Sequence, residues 1–236
     1  MIDVDCIVQS FNEPQLDKCL KSIRDQTYPY YRIVNVNGVL GTNNAFRRVL
    51  SSVQTEWFSA VGGDCIYYKD ALSNLIKFME AHPHEKCCNY CLTCYDPFME
   101  IKTGFLCIAR NTAFKEVMGN LSDNLTFDRS IAARLRHNGW FVRKNMRVIA
   151  GTHFEDPDEF QVFHRFFILA TKDGLRGYNI NKEIMENLYK RDKKPLQGMA
   201  IKALNFGIEK QVYQRSIDNN FNLQMYEEFK EWKLTH

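Results

Sequence analysis

Phe58-Ser59-Ala60-Val61-Gly62-Gly63-Asp64-Cys65-Ile66-Tyr67-Tyr68 is a mostly apolar run that stops at two glycines and one carboxylate, with a segment of helical pattern, Lys69 to Ala81, behind it. An acid placed where a buried strand ends is held at a sheet edge, the usual ligand position in an open α/β sheet. Gly-Gly-Asp is equally ordinary turn chemistry. The residues outside the stretch have to decide between the two.

Toward the N-terminus, residues 3 to 9 read as a short apolar strand, and Ser10-Phe11-Asn12-Glu13-Pro14 as a polar turn whose proline starts a helix. In that helix Leu16, Cys19, Leu20 and Ile23 recur at helical spacing, and Thr27-Tyr28-Pro29 ends it. Tyr31 to Gly38 forms a second strand closing on Asn37-Gly38. Asn43 to Val53 lines up Ala45, Phe46, Val49, Leu50 and Val53 on one helical face, and Glu56 to Val61 supplies a third strand. This alternation predicts an α/β fold, a Rossmann-like and mainly parallel central sheet flanked by helices. The strand ends Ser10 to Glu13, Asn37-Gly38 and Gly62 to Asp64 then converge on one edge, where a nucleotide would bind.

The 236 residues suit one large domain or a domain with an appendage, and 45% hydrophobic with 25% charged residues is a globular composition that excludes wholesale disorder. A net charge of +3 suits an anionic ligand but is far from the signature of a dedicated nucleic-acid binder. The opening Met1 to Val8 reads as a strand rather than an export signal, and no apolar run approaches the roughly 18 to 20 residues needed to span a bilayer. With that context, the eight cysteines point to reduced thiols and a cytoplasmic location rather than to a disulfide framework.

Two blocks carry a resemblance. The order Ile7-Val8-Gln9-Ser10-Phe11-Asn12-Glu13, followed by Cys19-Leu20-Lys21-Ser22-Ile23-Arg24-Asp25-Gln26-Thr27-Tyr28-Pro29, resembles the opening of family 2 glycosyltransferases with the GT-A fold. The likeness continues through Ala45 to Leu50, the Asp64 turn and His82-Pro83, then Thr103 to Arg110, Phe114 to Gly119, Phe127 to Trp140 and Gly151-Thr152-His153-Phe154. It covers roughly residues 3 to 154, which makes 1–154 the expected GT-A nucleotide-sugar-binding and catalytic domain and 155–236 a mostly helical C-terminal region.

The resemblance implies an inverting hexosyltransferase that uses a nucleotide-sugar donor and a hydroxyl-bearing acceptor. By position, Ser10, Phe11 and Glu13 fall where the family holds base and ribose, and Asn37 where it often has an Asp. Asp64 matches the last acid of the Asp-x-Asp motif that holds Mn²⁺ or Mg²⁺ on the diphosphate, but Gly62 stands in place of the first acid. His153 matches a second ligand of that cation, and Asp128 matches the catalytic base. Asp is also a preferred helix N-cap, so at the start of a helix over 129–138 it fits either role. Phe127 and Ser130 replace two further acids. Those losses keep open an alternative, a catalytically degenerate GT-A domain that binds a nucleotide or a partner. The acceptor stays open among a glycan, a lipid-linked sugar, a protein and a modified nucleic acid, the last not favoured.

Cys88, Cys91 and Cys94 stand at Cys-x-x-Cys spacing beside His82 and His84, a pattern that metal sites use. On a strand over 87–95, however, Cys88 and Cys94 face one side and Cys91 the other, so buried free thiols are the preferred reading. Beyond the acidic break Glu155 to Glu159, the residues Phe160, Phe163, Phe166, Phe167 and Ala170 recur at near-helical spacing. Helices are expected again over 181–189 and 199–208, with packing on the sheet as the default role, homo-oligomer contacts next, and a membrane or nucleic-acid surface suggested by Lys190 to Lys194.

Overall fold

The computed structural model describes residues 2–10, 13–37, 42–118, 127–174, 180–210 and 219–236, with the side chains of 42–45, 127–129, 171–174 and 219–222 left aside. These fall into two compact units, one running through Glu155 and the other from Asp156 onward. The first unit contains β1 (Val4–Ser10), α1 (Leu16–Arg24), β2 (Arg32–Asn37), α2 (Thr42–Ser52), β3 (Trp57–Gly62), β4 (Cys65–Tyr67) and α3 (Ala71–Ala81). It continues with β5 (Cys87–Asp96), β6 (Ile101–Arg110), α4 (Asn111–Val117), α5 (Phe127–His137) and β7 (Phe141–His153).

The strands form one sheet in the order β2-β1-β3-β6-β5-β7-β4. Strand β1 pairs in parallel with β2 and β3, as the alternation predicts. The sheet as a whole is nevertheless mixed, which corrects the expectation of a mainly parallel one. β6 runs antiparallel to both β3 and β5, and β4 antiparallel to β7, while β5 and β7 are parallel. Chain length explains the difference. A parallel return needs a crossover of about a dozen residues or more, but only residues 97–100 separate β5 from β6, so β6 turns straight back along β5. The sheet curls into a half-barrel instead of lying flat, and the register shifts along β5 add the local twist that such curling needs.

Both faces of the sheet are covered, so β1 is nearly continuous in burial. Cys6 and Val8 point into a cluster with Cys19 and Ile23 of α1 and with Leu72, Leu75 and Ile76 of α3. Ile7 points the other way, toward Val49 and Leu50 of α2, Phe58, and Phe114 of α4. The strand over 87–96 also amends one expectation. Cys94 packs in the first cluster and Cys88 in the second, so they lie on opposite faces. A register shift between Cys87 and Asn89 breaks the two-residue alternation that would have kept them together. All eight cysteines are free thiols.

The block Ser22 to Tyr28 serves as a clamp between helix and sheet. The buried Gln26 side chain donates from Nε2 to the carbonyls of Ser22 and Tyr68, each at 2.9 Å, and its Oε1 accepts from the Leu72 amide at 2.9 Å. Ser22 Oγ accepts from the Tyr67 amide at 3.1 Å, and the Thr27 amide donates to Lys69 O at 2.9 Å. Helix α1 thereby fixes the exit of β4 and the entry of α3.

The second unit is helical, with α6 (Glu159–Gly174), α7 (Ile180–Asp192), α8 (Pro195–Lys210) and α9 (Asn219–Thr235). Phe163, Phe167, Phe206 and Phe229 are fully buried within it, and Phe163 lies 4.8 Å from Phe229 and 5.3 Å from Phe167 between ring centroids. It therefore has an aromatic core of its own. No helix among the described residues is long and apolar enough to cross a membrane.

Candidate functional site

Three adjacent parallel strands deliver their carboxyl ends to one edge. Ser10, the last residue of β1, stands opposite Asn37, the last of β2, and Gln9 stands opposite Gly62, the last of β3. Ser10 Oγ donates to Asn35 Oδ1 at 3.3 Å, and the Gly63 amide donates to Gln9 O at 2.8 Å, so the turn after β3 is tied to the end of β1. A Cβ on Gly63 would come within 3.0 Å of Ser10 Cβ and 3.2 Å of Glu13 Oε2. Glycine at 63 gives Ser10 and the Glu13 carboxylate room to lie against this turn without displacement.

Asp64 follows at once, and its carboxylate folds back over Gly62. A Cβ on Gly62 would lie 2.7 Å from Asp64 Oδ1, closer than real contacts allow. The acid absent from position 62 is thus incompatible with the position Asp64 adopts.

Opposite this turn stands the end of β7. In the antiparallel pairing of β4 with β7, Cys65 faces His153 directly, which sets their side chains on one face with Cβ atoms about 4.5–5.5 Å apart. His153 Nε2 lies 3.2 Å from Asp64 Oδ2, and Cys65 Sγ lies 3.7 Å from Asp64 Oδ1. One donor atom from each of the three residues lies within 4.8 Å of the other two. Carboxylate, thiol and imidazole are all metal donors, so this donor set fits a divalent cation.

The backbone beyond His153 is held in an unusual conformation. Phe154 has φ of 65°, a left-handed geometry that is rare for a bulky residue and costs on the order of 1 kcal/mol or more. Its amide donates to Asp64 O at 3.2 Å, and its ring packs edge-on against Phe98 at 5.6 Å. Gln15 Nε2 donates to Glu155 O at 2.9 Å, and Thr152 Oγ1 to Glu155 Oε2 at 3.3 Å. The strained turn locks the imidazole beside the carboxylate.

Nearby thiols register the field of Asp64. Burial first and the Asp64 carboxylate next push Cys19 up to about 12, with Glu13 adding to the rise. Burial, and to a lesser degree Asp64, push Cys94 up to about 11. Burial and then Asp64 also raise Cys65 well above the ordinary thiol range. Two carboxylates are thus focused on one partly buried turn, an environment that favours a cation.

The structure brings Ser10, Glu13, Asn37, Asp64 and His153 to one end of the sheet. Phe11 lies outside the described residues. Asp128 is the second residue of α5 (Phe127–His137), inside its first turn rather than at the N-cap, and its side chain lies outside the description. Cys65 is the residue that sequence reasoning passed over. Its adjacency to Asp64 was readable, but its partner His153 is set by an antiparallel register that no local pattern encodes.

Compared with protein-family models and with curated protein sequences, the chain gives no match. Its fold does match solved structures. A mannosyltransferase from Pyrobaculum calidifontis, PcManGT in complex with GDP-Man and Mn²⁺, is similar with a TM-score of 0.54 at 14% identity, over 91% of this chain and 76% of that one. S. aureus TarS 1-349 in complex with UDP-GlcNAc gives a TM-score of 0.54 at 10% identity, over 86% of this chain and 70% of that one. The chain therefore has a glycosyltransferase-like α/β fold, here with an Asp, Cys and His donor cluster at the strand ends.

Proposed function

We propose that the protein is an inverting, family 2-like glycosyltransferase that moves a hexose from a nucleotide-sugar to an acceptor hydroxyl. The observation that carries this reading is the Asp64–His153 pair beside Ser10, Glu13 and Asn37, on a fold similar to one solved with GDP-Man and Mn²⁺ and another with UDP-GlcNAc. In the proposed arrangement Ser10, Phe11, Glu13 and Asn37 hold base and ribose through hydrogen bonds and ring contact. Asp64 and His153 hold a divalent cation, Mn²⁺ or Mg²⁺ by the family resemblance. A cation bound there neutralises charge on the diphosphate leaving group. Asp128 takes the proton from the acceptor hydroxyl as that oxygen attacks the anomeric carbon from the face opposite the diphosphate, so configuration inverts.

Asp128 is tested by Asp128→Asn, with transfer and donor binding measured separately. Transfer should be lost with donor affinity retained; full turnover in that variant would remove Asp128 as the base. A second reading, a binding module without catalysis, is favoured by Gly62, Phe127 and Ser130 at positions where the family has acids. It predicts thermal stabilisation by a nucleoside diphosphate with neither transfer nor donor hydrolysis. The proposed cellular setting is the cytoplasm, and the second unit is a proposed site of acceptor, oligomer or membrane-surface contact.

A further inference from the structure

We propose that Cys65 is a thiolate ligand of this cation site, standing in for the acid missing at Gly62, and that the site therefore prefers a thiophilic divalent cation such as Zn²⁺ over Mg²⁺. The inference rests on the reading of Asp64 and His153 as cation ligands and changes which cation they take. The geometry has three independent parts. The β4–β7 register makes Cys65 and His153 direct cross-strand neighbours on one face. The Asp64 carboxylate lies between them, with one oxygen 3.2 Å from the imidazole and the other 3.7 Å from the sulfur. A side chain built on Gly62 would start 2.7 Å from Asp64 Oδ1 and in ordinary contact, 3.9 Å, with Cys65 Sγ, so the Asp64 carboxylate occupies the space a residue-62 acid would enter and the thiol borders it.

The spacings suit the chemistry. Metal bonds of about 2.0–2.2 Å to N and O and about 2.3 Å to S, at tetrahedral angles, separate donors by roughly 3.3–3.6 Å. Asp64 approaches each partner at close to this spacing, one carboxylate oxygen 3.2 Å from the imidazole and the other 3.7 Å from the sulfur, and the full set of one donor atom per residue, within 4.8 Å, closes on one cation with a side-chain shift of about an ångström. Three protein donors leave a further position open, as in sites that act on a ligand rather than purely structural ones. When the S–metal bond forms, the thiol proton leaves to solvent. Tyr67 stands two residues along β4, on the same face as Cys65. Thiolate is a soft ligand and Mg²⁺ a hard ion that takes oxygen, so the preference follows from the donor set.

The test is titration of the chelator-treated 236-residue chain with Co²⁺, followed by optical absorption, and with Zn²⁺, Mn²⁺ and Mg²⁺, followed by calorimetry. The wild type should give visible d–d bands together with a near-ultraviolet sulfur-to-cobalt charge-transfer band, and should bind Zn²⁺ at least about a hundredfold more tightly than Mg²⁺. Cys65→Ser should abolish the charge-transfer band and weaken Zn²⁺ by at least about tenfold. Cys65→Asp should shift the preference back toward Mn²⁺ and Mg²⁺, and unfolding curves on both variants check that they fold. Cobalt d–d bands without charge transfer in the wild type, or a charge-transfer band that persists in Cys65→Ser, would overturn the role of Cys65 while leaving Asp64 and His153 as ligands. Absence of binding by any of the four ions would overturn the cation site itself.

Discussion

The sheet carries a carboxylate at each end, Asp5 where β1 enters and Asp64 where β3 leaves, and the two are held differently. Asp5 is fully buried. It accepts from Arg32 Nη2 at 3.0 Å and Nε at 3.3 Å, and from the amides of Gln54 at 2.6 Å and Thr55 at 3.3 Å. Its charge is met by a permanent cation and by backbone donors that would otherwise go unpaired. The Asp64 side chain keeps about a quarter of its surface, 25%, exposed and sits among an imidazole and a thiol. The first arrangement closes the α2–β3 connection onto β1 and β2, and the second gathers groups that bind a cation. An acid at a strand end is thus structural or functional according to whether its partners are saturating donors or further ligands.

Removing each acid in turn and measuring stability should separate the two sites most strongly. Asp5→Ala should cost about 3–5 kcal/mol in urea unfolding, because it takes the acceptor from the partly buried Arg32 guanidinium and from the part-buried amides of Gln54 and Thr55. Asp64→Ala should stay within about 1 kcal/mol, since its position relaxes a crowded turn. Comparable losses in both would erase the distinction. Next in size, Asp64→Ala should lower transfer by roughly 10²–10³, about 2.7–4 kcal/mol of transition-state stabilisation, measured as kcat/KM under saturating cation. Asp5 has no counterpart effect beyond lost folded protein.

A smaller effect is expected at the clamp that joins the two ends. Gln26→Leu leaves the Leu72 amide without its acceptor and takes one donor from the Tyr68 carbonyl, which keeps the Ala71 amide, so it should cost about 1–3 kcal/mol in unfolding free energy. It should also weaken cation binding, because Tyr68 follows directly on β4. Unchanged cation affinity would mean that β4 is held by β7 alone. The smallest effect should come from a surface acid. The Glu159 carboxyl is held below its ordinary value, chiefly by the hydrogen bond from Lys233, whose Nζ lies 2.7 Å away. A lowered carboxyl contributes stability above its ordinary value and loses it as pH falls through the lowered one. Lys233→Ala should therefore cost under about 1 kcal/mol at neutral pH, since the pair is largely exposed, and nothing at strongly acid pH. A penalty that grew on acidification would contradict this assignment.

Much of the parallel half of the fold was legible. The strand-helix order through β3, the helix α3 behind it, and the convergence of Ser10, Asn37 and the Gly62 turn follow from periodicity and turn chemistry. The block Gln26-Thr27-Tyr28, quoted for its family likeness, turns out to hold β4 and α3 in place. The antiparallel half was less legible for a physical reason. β4 is three residues long and pairs with a strand far away in the chain, so neither its existence nor its register leaves a periodic trace. Cys65 was missed on that account. The facing of Cys88 and Cys94 was misread because alternation fails across a bulge.

In the proposed function Asp64 joins a cation to a nucleotide-sugar at the strand ends. This role is tested most directly by thermal unfolding of wild type and Asp64→Ala with GDP-Man, UDP-GlcNAc and related sugar nucleotides, each with and without Mn²⁺ or Zn²⁺. With ligand near one hundred times its Kd, binding adds about 2.7 kcal/mol, so Tm should rise by about 5–10 °C. One sugar nucleotide should give this rise in the wild type only when cation is present, and Asp64→Ala, within about 1 kcal/mol of the wild type alone, should give none. The same rise in Asp64→Ala, or no response of the wild type to any sugar nucleotide, would contradict it.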